Sequence, residues 1–351
     1  MTRFAWLQSR SQNLLAAAIL AALAVLAAIT GVHLSHLYNS LVAHCPRNQD
    51  CQLASEQFTA HYTFLQNSFT LIPRLVPALL GIFWGAPLFA RELESGTFRL
   101  AWTQSVSRSR WLLTKLAIGA LATVLAAGLL TIIITWWSSD LERVDSSRYG
   151  LFDARNLVPV GYAVLAFALG ALAGVVIRRT VPAMASSLAV FIFVRIAVQQ
   201  WVRPHLMPTK TLTASLLGGK EFGFFSNNGG PVDLVARANG PRNSWVLSTH
   251  ILNASGHTTT AAERTAFVHK YCAAIATPPP PGGPNSRAVR IADPSTIESC
   301  RNHAAQTFHL LVTYQPANHY WPLQLLETGL FTALALVAMA GCYWWVTRRA
   351  V

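Results

Sequence analysis

Long apolar runs alternate with polar segments along the whole chain. Each of six runs holds about 19 to 24 residues, and a helix of that length, rising about 1.5 Å per residue, crosses the roughly 30 Å hydrocarbon core of a bilayer. The runs predict six membrane spans, at residues 14–32, 72–90, 116–137, 157–177, 181–202 and 323–346. The expected fold class is therefore an all-α polytopic membrane protein.

Composition supports the same class. The chain is 52% hydrophobic and only 12% charged, which leaves too few charges to cover the surface of a soluble protein of 351 residues. The net charge of +13 raises the alternative of a nucleic-acid partner. Many of the basic residues flank spans, however, so anionic lipid headgroups are the expected partner and no nucleic acid is expected.

The polar segments carry an orientation signal, because an excess of Lys and Arg marks cytoplasmic loops. One basic cluster precedes the first span, at residues 3 and 10, and the others follow spans two, four and six, at residues 91–110, 178–179 and 348–349. This pattern predicts a multi-pass protein of the cell membrane with both termini in the cytoplasm. The predicted domains are an interfacial helix (1–12), spans one to five (13–203), a large mixed extracytoplasmic segment (204–322), and the last span with a cytoplasmic tail (323–351).

The N-terminal segment is predicted to lie in the membrane interface. Phe4 and Leu7 are one helical turn apart, and Arg3 and Arg10 share another face, as in amphipathic helices at the headgroup level. A cleaved signal peptide is the alternative interpretation. The run that follows exceeds the roughly 7 to 15 apolar residues of a signal and lacks a clear small-x-small cleavage site, so we expect a retained first span.

The predicted cytoplasmic loop at residues 91–110 has a distinctive inner pattern. Two acids precede a break in the helix, a short amphipathic piece follows, and then come serines suited to cap the next helix; these residues are Glu92, Glu94, Gly96, Thr97, Ser105 and Ser107. The pattern predicts a short surface helix between spans two and three. Taken alone, it also fits a plain basic loop of any polytopic protein.

This loop resembles the coupling-helix loop of ABC-2 type exporter permeases, and in particular their actinobacterial branch. The matching residues are Glu92, Glu94, Gly96, Thr97, Leu100, Thr103, Val106, Ser107, Arg108 and Lys115. One departure is that Gln104-Ser105 replaces the usual single Pro after the Thr. The six-span plan and the segment from Tyr314 to Gly329 are also similar to that family, whereas residues 204–305 lie outside the resemblance.

The resemblance implies a transport subunit rather than an enzyme. In the family, a separate ATPase binds ATP and Mg and docks below two permease copies, and this chain has no G-x-x-x-x-G-K-[ST] phosphate loop of its own. The expected partners are an ABC ATPase, a second permease copy in a homodimer or heterodimer, and membrane lipids, with no cofactor bound by this chain. The expected ATPase-coupling residues are Glu92, Glu94, Gly96, Thr97, Arg99 and Arg108.

Three charged residues lie within or at the ends of predicted spans. Arg195 interrupts span five, Glu327 enters span six, and Arg74 stands at the start of span two. A charge in a span is costly unless it is paired or faces water, which favours an Arg195–Glu327 pair, with Arg74 as the competing partner. The alternative is that Arg195 snorkels to the interface and Glu327 sits at the headgroups.

The cysteines and histidines suggest local chemistry outside the membrane. Cys45, Cys51, Cys272 and Cys300 all fall in predicted extracytoplasmic segments, where oxidation favours disulfides. We expect Cys45–Cys51 and Cys272–Cys300 pairs, and four free thiols are the alternative. His33 and His36 share a helical face, but the sequence lacks metal-ligand spacing, so no metal site is expected.

The function predicted from these features is the membrane subunit of an ATP-driven exporter. Spans rich in Ala, Leu and Gly indicate an amphipathic or hydrophobic cargo such as a peptide antibiotic, a drug or a lipid. One alternative is a non-transporting receptor or immunity protein that presents an extracytoplasmic domain. Another is a membrane-embedded enzyme, for which the spans offer few candidate polar groups beyond Arg195, Glu327, Gln199 and Gln200.

Overall fold

The computed structural model describes residues 2–40, 64, 67–96, 107–144, 148–216, 221–226, 232–272 and 294–348. The chain forms two compact units, one made of residues 1–206 with 320–351 and the other of residues 207–319. The helices are α1 (Thr2–Tyr38), α2 (Asn67–Ser95), α3 (Arg108–Trp137), α4 (Ser139–Val144), α5 (Val158–Ile177), α6 (Thr180–His205), α7 (Ala261–Tyr271), α8 (Pro294–Thr307) and α9 (Tyr320–Arg348).

Six helices in the described residues, α1, α2, α3, α5, α6 and α9, are long and apolar enough to cross a membrane, which confirms the six predicted spans. Helix α1 runs from Thr2 to Tyr38 without a break, and the interfacial position predicted for residues 1–12 stays a prediction. The polar segment Ser11-Gln12-Asn13 contains no Pro or Gly to end the helix. The polar and apolar parts are therefore one continuous element.

Helix α5 is the centre of the bundle and is its most buried helix. It packs against α2 through glycines on both helices: a Cβ added at Gly85 would lie 2.5 Å from the Phe167 carbonyl oxygen, and one added at Gly174 would lie 2.5 Å from the Ala86 carbonyl oxygen. Small residues allow such close approach in membrane bundles. Within α2, residues Gly81–Gly85 form a π-helical turn beside this contact.

Contacts between the helices define two ends of the bundle. At one end, Phe89, Trp111 and Val346 share an apolar cluster, and this end is called the basic end because Arg91, Arg108, Arg178 and Arg348 lie at the adjoining helix termini. The other end, where Trp137, Phe152 and Tyr320 lie, is called the opposite end. The described basic clusters thus fall at one end of the bundle.

The unit of residues 207–319 is a mixed α/β structure, so the all-α description applies only to the bundle. Its strands are β1 (Lys210–Ser215), β2 (Glu221–Ser226), β3 (Val232–Arg237), β4 (Trp245–Leu252) and β5 (His309–Gln315). They form an antiparallel sheet in the order β1-β5-β4 and a β2-β3 pair. The alternating pattern of β5, in which Leu310 and Val312 are buried, places one face of the sheet in the core with α7 and α8.

The predicted disulfide between Cys272 and Cys300 is present. It joins the end of α7 to α8, and both cysteines are buried in the core of this unit. The predicted Cys45–Cys51 pair lies outside the described residues. Cys342 is a free, buried cysteine of α9.

Candidate functional site

The last turn of α2 carries two carboxylates that point to different neighbours. Glu92 and Glu94 are two residues apart, which on a helix of about 100° per residue separates their side chains by about 200°. Glu92 pairs with Lys115 of α3, and Glu94 accepts hydrogen bonds from Thr180 of α6. This turn therefore connects α2 to two other spans at the basic end.

The Glu92–Lys115 pair is buried. Glu92 is 9% exposed and Lys115 is 8% exposed, and the Lys115 ammonium lies 5.2 Å from the centroid of the Trp111 ring. Removal of one partner of such a buried ion pair is strongly destabilising, because it leaves an unpaired charge in a poorly solvated place. Glu92 thus makes its ion pair inside this chain, and its role in coupling to an ATPase stays a prediction.

The Glu94–Thr180 contact is at the surface and caps a helix. The Thr180 N–H and hydroxyl both donate to Glu94 Oε2, at 3.0 and 2.7 Å. The N-cap residue of α6, Arg179, makes no capping hydrogen bond with its own side chain. A carboxylate from α2 therefore supplies the negative charge that the N-terminus of α6 favours.

Both ends of the predicted coupling loop are well defined. Gly96 ends α2 in the left-handed conformation, at φ 72°, which glycine adopts without strain. Ser107 begins α3 as its N-cap and accepts a hydrogen bond from the Arg110 N–H, so the helix starts without the family's proline. Arg108 follows and is exposed. Thr97 and Arg99 lie outside the described residues.

The opposite end of the bundle contains a buried cluster of charges. Arg203 Nε donates to Glu327 Oε2 at 2.7 Å, and its Nη2 donates to Glu327 Oε1 at 2.8 Å and to Asp153 Oδ1 at 2.5 Å. The Tyr162 hydroxyl donates to Glu327 Oε1 at 2.6 Å and accepts from Arg203 Nη2 at 2.9 Å. Glu327 is fully buried. The cluster ties α6, α9, α5 and the segment before α5 together.

The predicted Arg195–Glu327 pair is wrong, since Glu327 bonds to Arg203. Arg195 instead donates to the Arg74 carbonyl oxygen at 2.5 Å, with its guanidinium 4.8 Å from the centroid of the Tyr162 ring. The cause is a π-helical turn at Val198–Val202. Its wider turn shifts the register by about one residue, which brings Arg203 to the face of α6 that carries Arg195.

Gln324 was not identified as a site residue from the sequence. Its Oε1 accepts hydrogen bonds from the N–H groups of Leu157 and Val158 at 3.2 and 3.0 Å, and its Nε2 donates to the Phe152 carbonyl at 3.1 Å. It caps the N-terminus of α5, whose own N-cap residue makes no side-chain bond. The sequence feature that could have identified Gln324 is its position three residues before Glu327, on the same face of the helix.

A second charge cluster adjoins α4. Glu142 forms ion pairs with Arg148 and with Arg155, the latter at 2.9 Å. Burial raises the pKa of Glu142, but the hydrogen bond from Arg148 and the charge of Arg155 outweigh it, and the pKa lies below its ordinary value. In the part of the chain that the structure describes, no group of three or more His, Cys, Asp or Glu side chains is placed to hold a metal ion.

Comparison with known proteins identifies the bundle. A family model described as ABC-2 membrane transporter related matches residues 17–203, which is more than half of the chain. The match includes the Glu92 and Glu94 turn and ends at Arg203. No curated protein and no solved structure matches the chain.

Proposed function

The chain belongs to the ABC-2 membrane transporter related family, and on that premise we propose that it is the permease subunit of an ATP-driven exporter of amphipathic or hydrophobic cargo. A separate ABC ATPase would hydrolyse ATP with Mg, and a second permease copy would complete the pathway. The observation that carries this proposal is the last turn of α2. It leads directly into the loop at 97–106 and links to two other spans through Glu92 and Glu94.

The mechanism follows from these links. A force applied to the loop by the ATPase reaches α2 at Gly96 and α3 at Ser107. The Glu92–Lys115 pair would hold α2 and α3 together at the basic end, and the Glu94–Thr180 bonds would pass the displacement to α6. Helix α2 also packs closely on α5 through glycine contacts, so a displacement of α2 would reach the centre of the bundle.

The orientation is part of the proposal. The basic end would face the cytoplasm, where the ATPase resides, and Lys and Arg would meet anionic lipid headgroups. Both termini would then be cytoplasmic, and residues 207–319 would lie outside the cell. Cysteine labelling at positions 179 and 240 tests this, since the reagent should reach 179 only from inside and 240 only from outside.

The coupling proposal is tested with Glu94→Gln and Thr180→Val in proteoliposomes that contain the permease and its ATPase. Both variants should bind the ATPase but lose most of the cargo flux per ATP hydrolysed, and Thr180→Ser, which keeps the hydroxyl, should restore the flux. The control is Glu298→Gln, which removes an exposed acid of the other unit and should leave coupling unchanged. Unchanged coupling in Glu94→Gln would reject the role of this turn.

A further inference from the structure

Among the side chains that the structure describes, two arginines at the opposite end of the bundle have no carboxylate partner. The carboxylates whose side chains the structure describes at this end are already paired: Glu327 and Asp153 with Arg203, and Glu142 with Arg148 and Arg155. Among the described side chains, no acid lies within ion-pairing distance of Arg74 or Arg195. Each guanidinium group is planar and carries five N–H donors.

These two arginines are neighbours. Arg195 Nη1 donates to the Arg74 carbonyl oxygen at 2.5 Å, and Arg74 Nη2 donates to the Gly150 carbonyl at 3.4 Å. Arg74 lies seven residues after the start of α2 and Arg195 ten residues before the end of α6, which places them about 10 and 15 Å along the helices from the same end. Both are partly exposed.

A cation at this depth requires a counter-charge or water. The Tyr162 ring covers Arg195 at 4.8 Å and supplies a partial counter-charge by a cation–π contact. Arg195 still has N–H groups beyond the one that bonds to Arg74, and a planar guanidinium binds phosphate or carboxylate through two of them at once. The surface of α6 beside it is apolar and exposed, with Ile192, Phe193 and Ile196 facing outward.

We propose that Arg195 and Arg74 bind the anionic headgroup of a bilayer amphiphile whose hydrocarbon chains lie along the exposed face of α6. The charged group would enter between α2 and α6, and the chains would contact Ile192, Phe193 and Ile196. This proposal rests on the proposed function only in identifying the amphiphile as cargo, and it gives that cargo a negative charge. The binding step itself needs no ATPase.

The test measures lipid selectivity in phosphatidylcholine nanodiscs that contain the full chain. Spin-labelled phosphatidylglycerol and spin-labelled phosphatidylcholine are compared for the fraction immobilised at the protein. The wild type should prefer phosphatidylglycerol by about fivefold, the scale expected of one arginine near an anionic group. Arg195→Gln should lose most of the preference and Arg74→Gln part of it, whereas Arg195→Lys, which keeps the charge but not the two-point contact, should keep part of it.

Arg242→Gln is the matched control, because it removes the same charge from an exposed position in the other unit and should leave the preference unchanged. Equal preference in Arg195→Gln and Arg242→Gln would overturn the proposal, as would a wild type without preference. Release of the labelled lipid by millimolar glycerol phosphate would show that a free headgroup suffices and would overturn the amphiphile assignment. If Arg195→Gln fails to insert, the comparison of the wild type with Arg74→Gln decides.

The two proposals fail in different ways. If the lipid preference is absent but ATP still drives cargo flux, the headgroup site is wrong and the permease function stands. If the preference depends on Arg195 but no ATPase couples to the chain, the site stands and the transport function is wrong.

Discussion

The strongest energetic prediction concerns Glu327, the fully buried acid of the Arg203 cluster. The change Glu327→Gln keeps the shape and a hydrogen-bond acceptor for Tyr162, but it removes the negative charge that meets two nitrogens of Arg203. Loss of one partner from a buried ion pair costs about 3 to 5 kcal/mol. Arg203 keeps Asp153 at 2.5 Å, so we expect the lower part of that range, about 3 kcal/mol.

The measurement is thermal unfolding of the purified chain in nanodiscs, followed by intrinsic tryptophan fluorescence. About 3 kcal/mol should lower the Tm by roughly 6 to 12 °C for a bundle of this size. The double variant Glu327→Gln with Arg203→Met should be less destabilised than the sum of the single variants, because the loss of the Arg203–Glu327 pair is then counted once, although Asp153 also loses its partner. Exchange of the two charges should not restore stability, since Asp153 would then face a carboxylate at position 203.

The control is Glu298→Gln, which breaks an exposed pair with Arg301 at 3.9 Å and should change stability by less than about 0.5 kcal/mol. The reasoning would be refuted if Glu327→Gln unfolded within about 1 °C of the wild type, or if the two single effects simply added.

Three further predictions follow from packing, titration and cross-linking. Gly174→Ala should destabilise the bundle by about 1 to 3 kcal/mol, because the added Cβ would lie 2.5 Å from the Ala86 carbonyl oxygen. The control is Gly128→Ala, whose added Cβ would meet no atom within 4 Å and which should be neutral or stabilising in the same thermal assay. The Glu142 carboxylate has a lowered pKa in the folded state, so its contribution to the free energy of unfolding is present above its unfolded pKa and is lost as the pH falls through the folded pKa. Glu142→Gln should therefore flatten the acid side of a curve of Tm against pH. An unchanged curve would contradict this prediction. Replacing both Cys272 and Cys300 with Ser should cost about 3 to 4 kcal/mol, because the disulfide closes a loop of 28 residues; chemical denaturation of the wild type with and without reductant checks the same value.

The sequence predicted the bundle well because its signal is strong and local. A run of about twenty apolar residues in a bilayer forms a helix, because a helix satisfies the hydrogen bonds of its own backbone where no water is present. The capping roles at Gly96 and Ser107 were also readable, because each depends on a single residue at a helix end. The Cys272–Cys300 pair followed from the oxidising compartment expected for both cysteines.

The pairing of charges was not predictable in the same way. The choice of Arg203 over Arg195 as the partner of Glu327 depends on a π-helical turn at Val198–Val202, and no local pattern in the sequence marks that turn. The pairing of Glu92 with Lys115 depends on which side of α2 faces α3. That orientation is set by tertiary packing and not by the local sequence. The strands of residues 207–319 were missed because short strands of mixed polarity, such as exposed β1, give little periodic signal.

The central claim is that the turn at Glu92 and Glu94 couples an ABC ATPase to this bundle. The most direct measurement is ATP hydrolysis by an ABC ATPase that co-purifies with this chain, reconstituted in proteoliposomes with the wild type or with Glu94→Gln, with and without candidate cargo. We predict that the wild-type chain binds that ATPase and that cargo stimulates its hydrolysis severalfold, while Glu94→Gln still binds but abolishes the stimulation. An ATPase that neither binds the chain nor changes its rate in the presence of the chain and cargo would contradict the account.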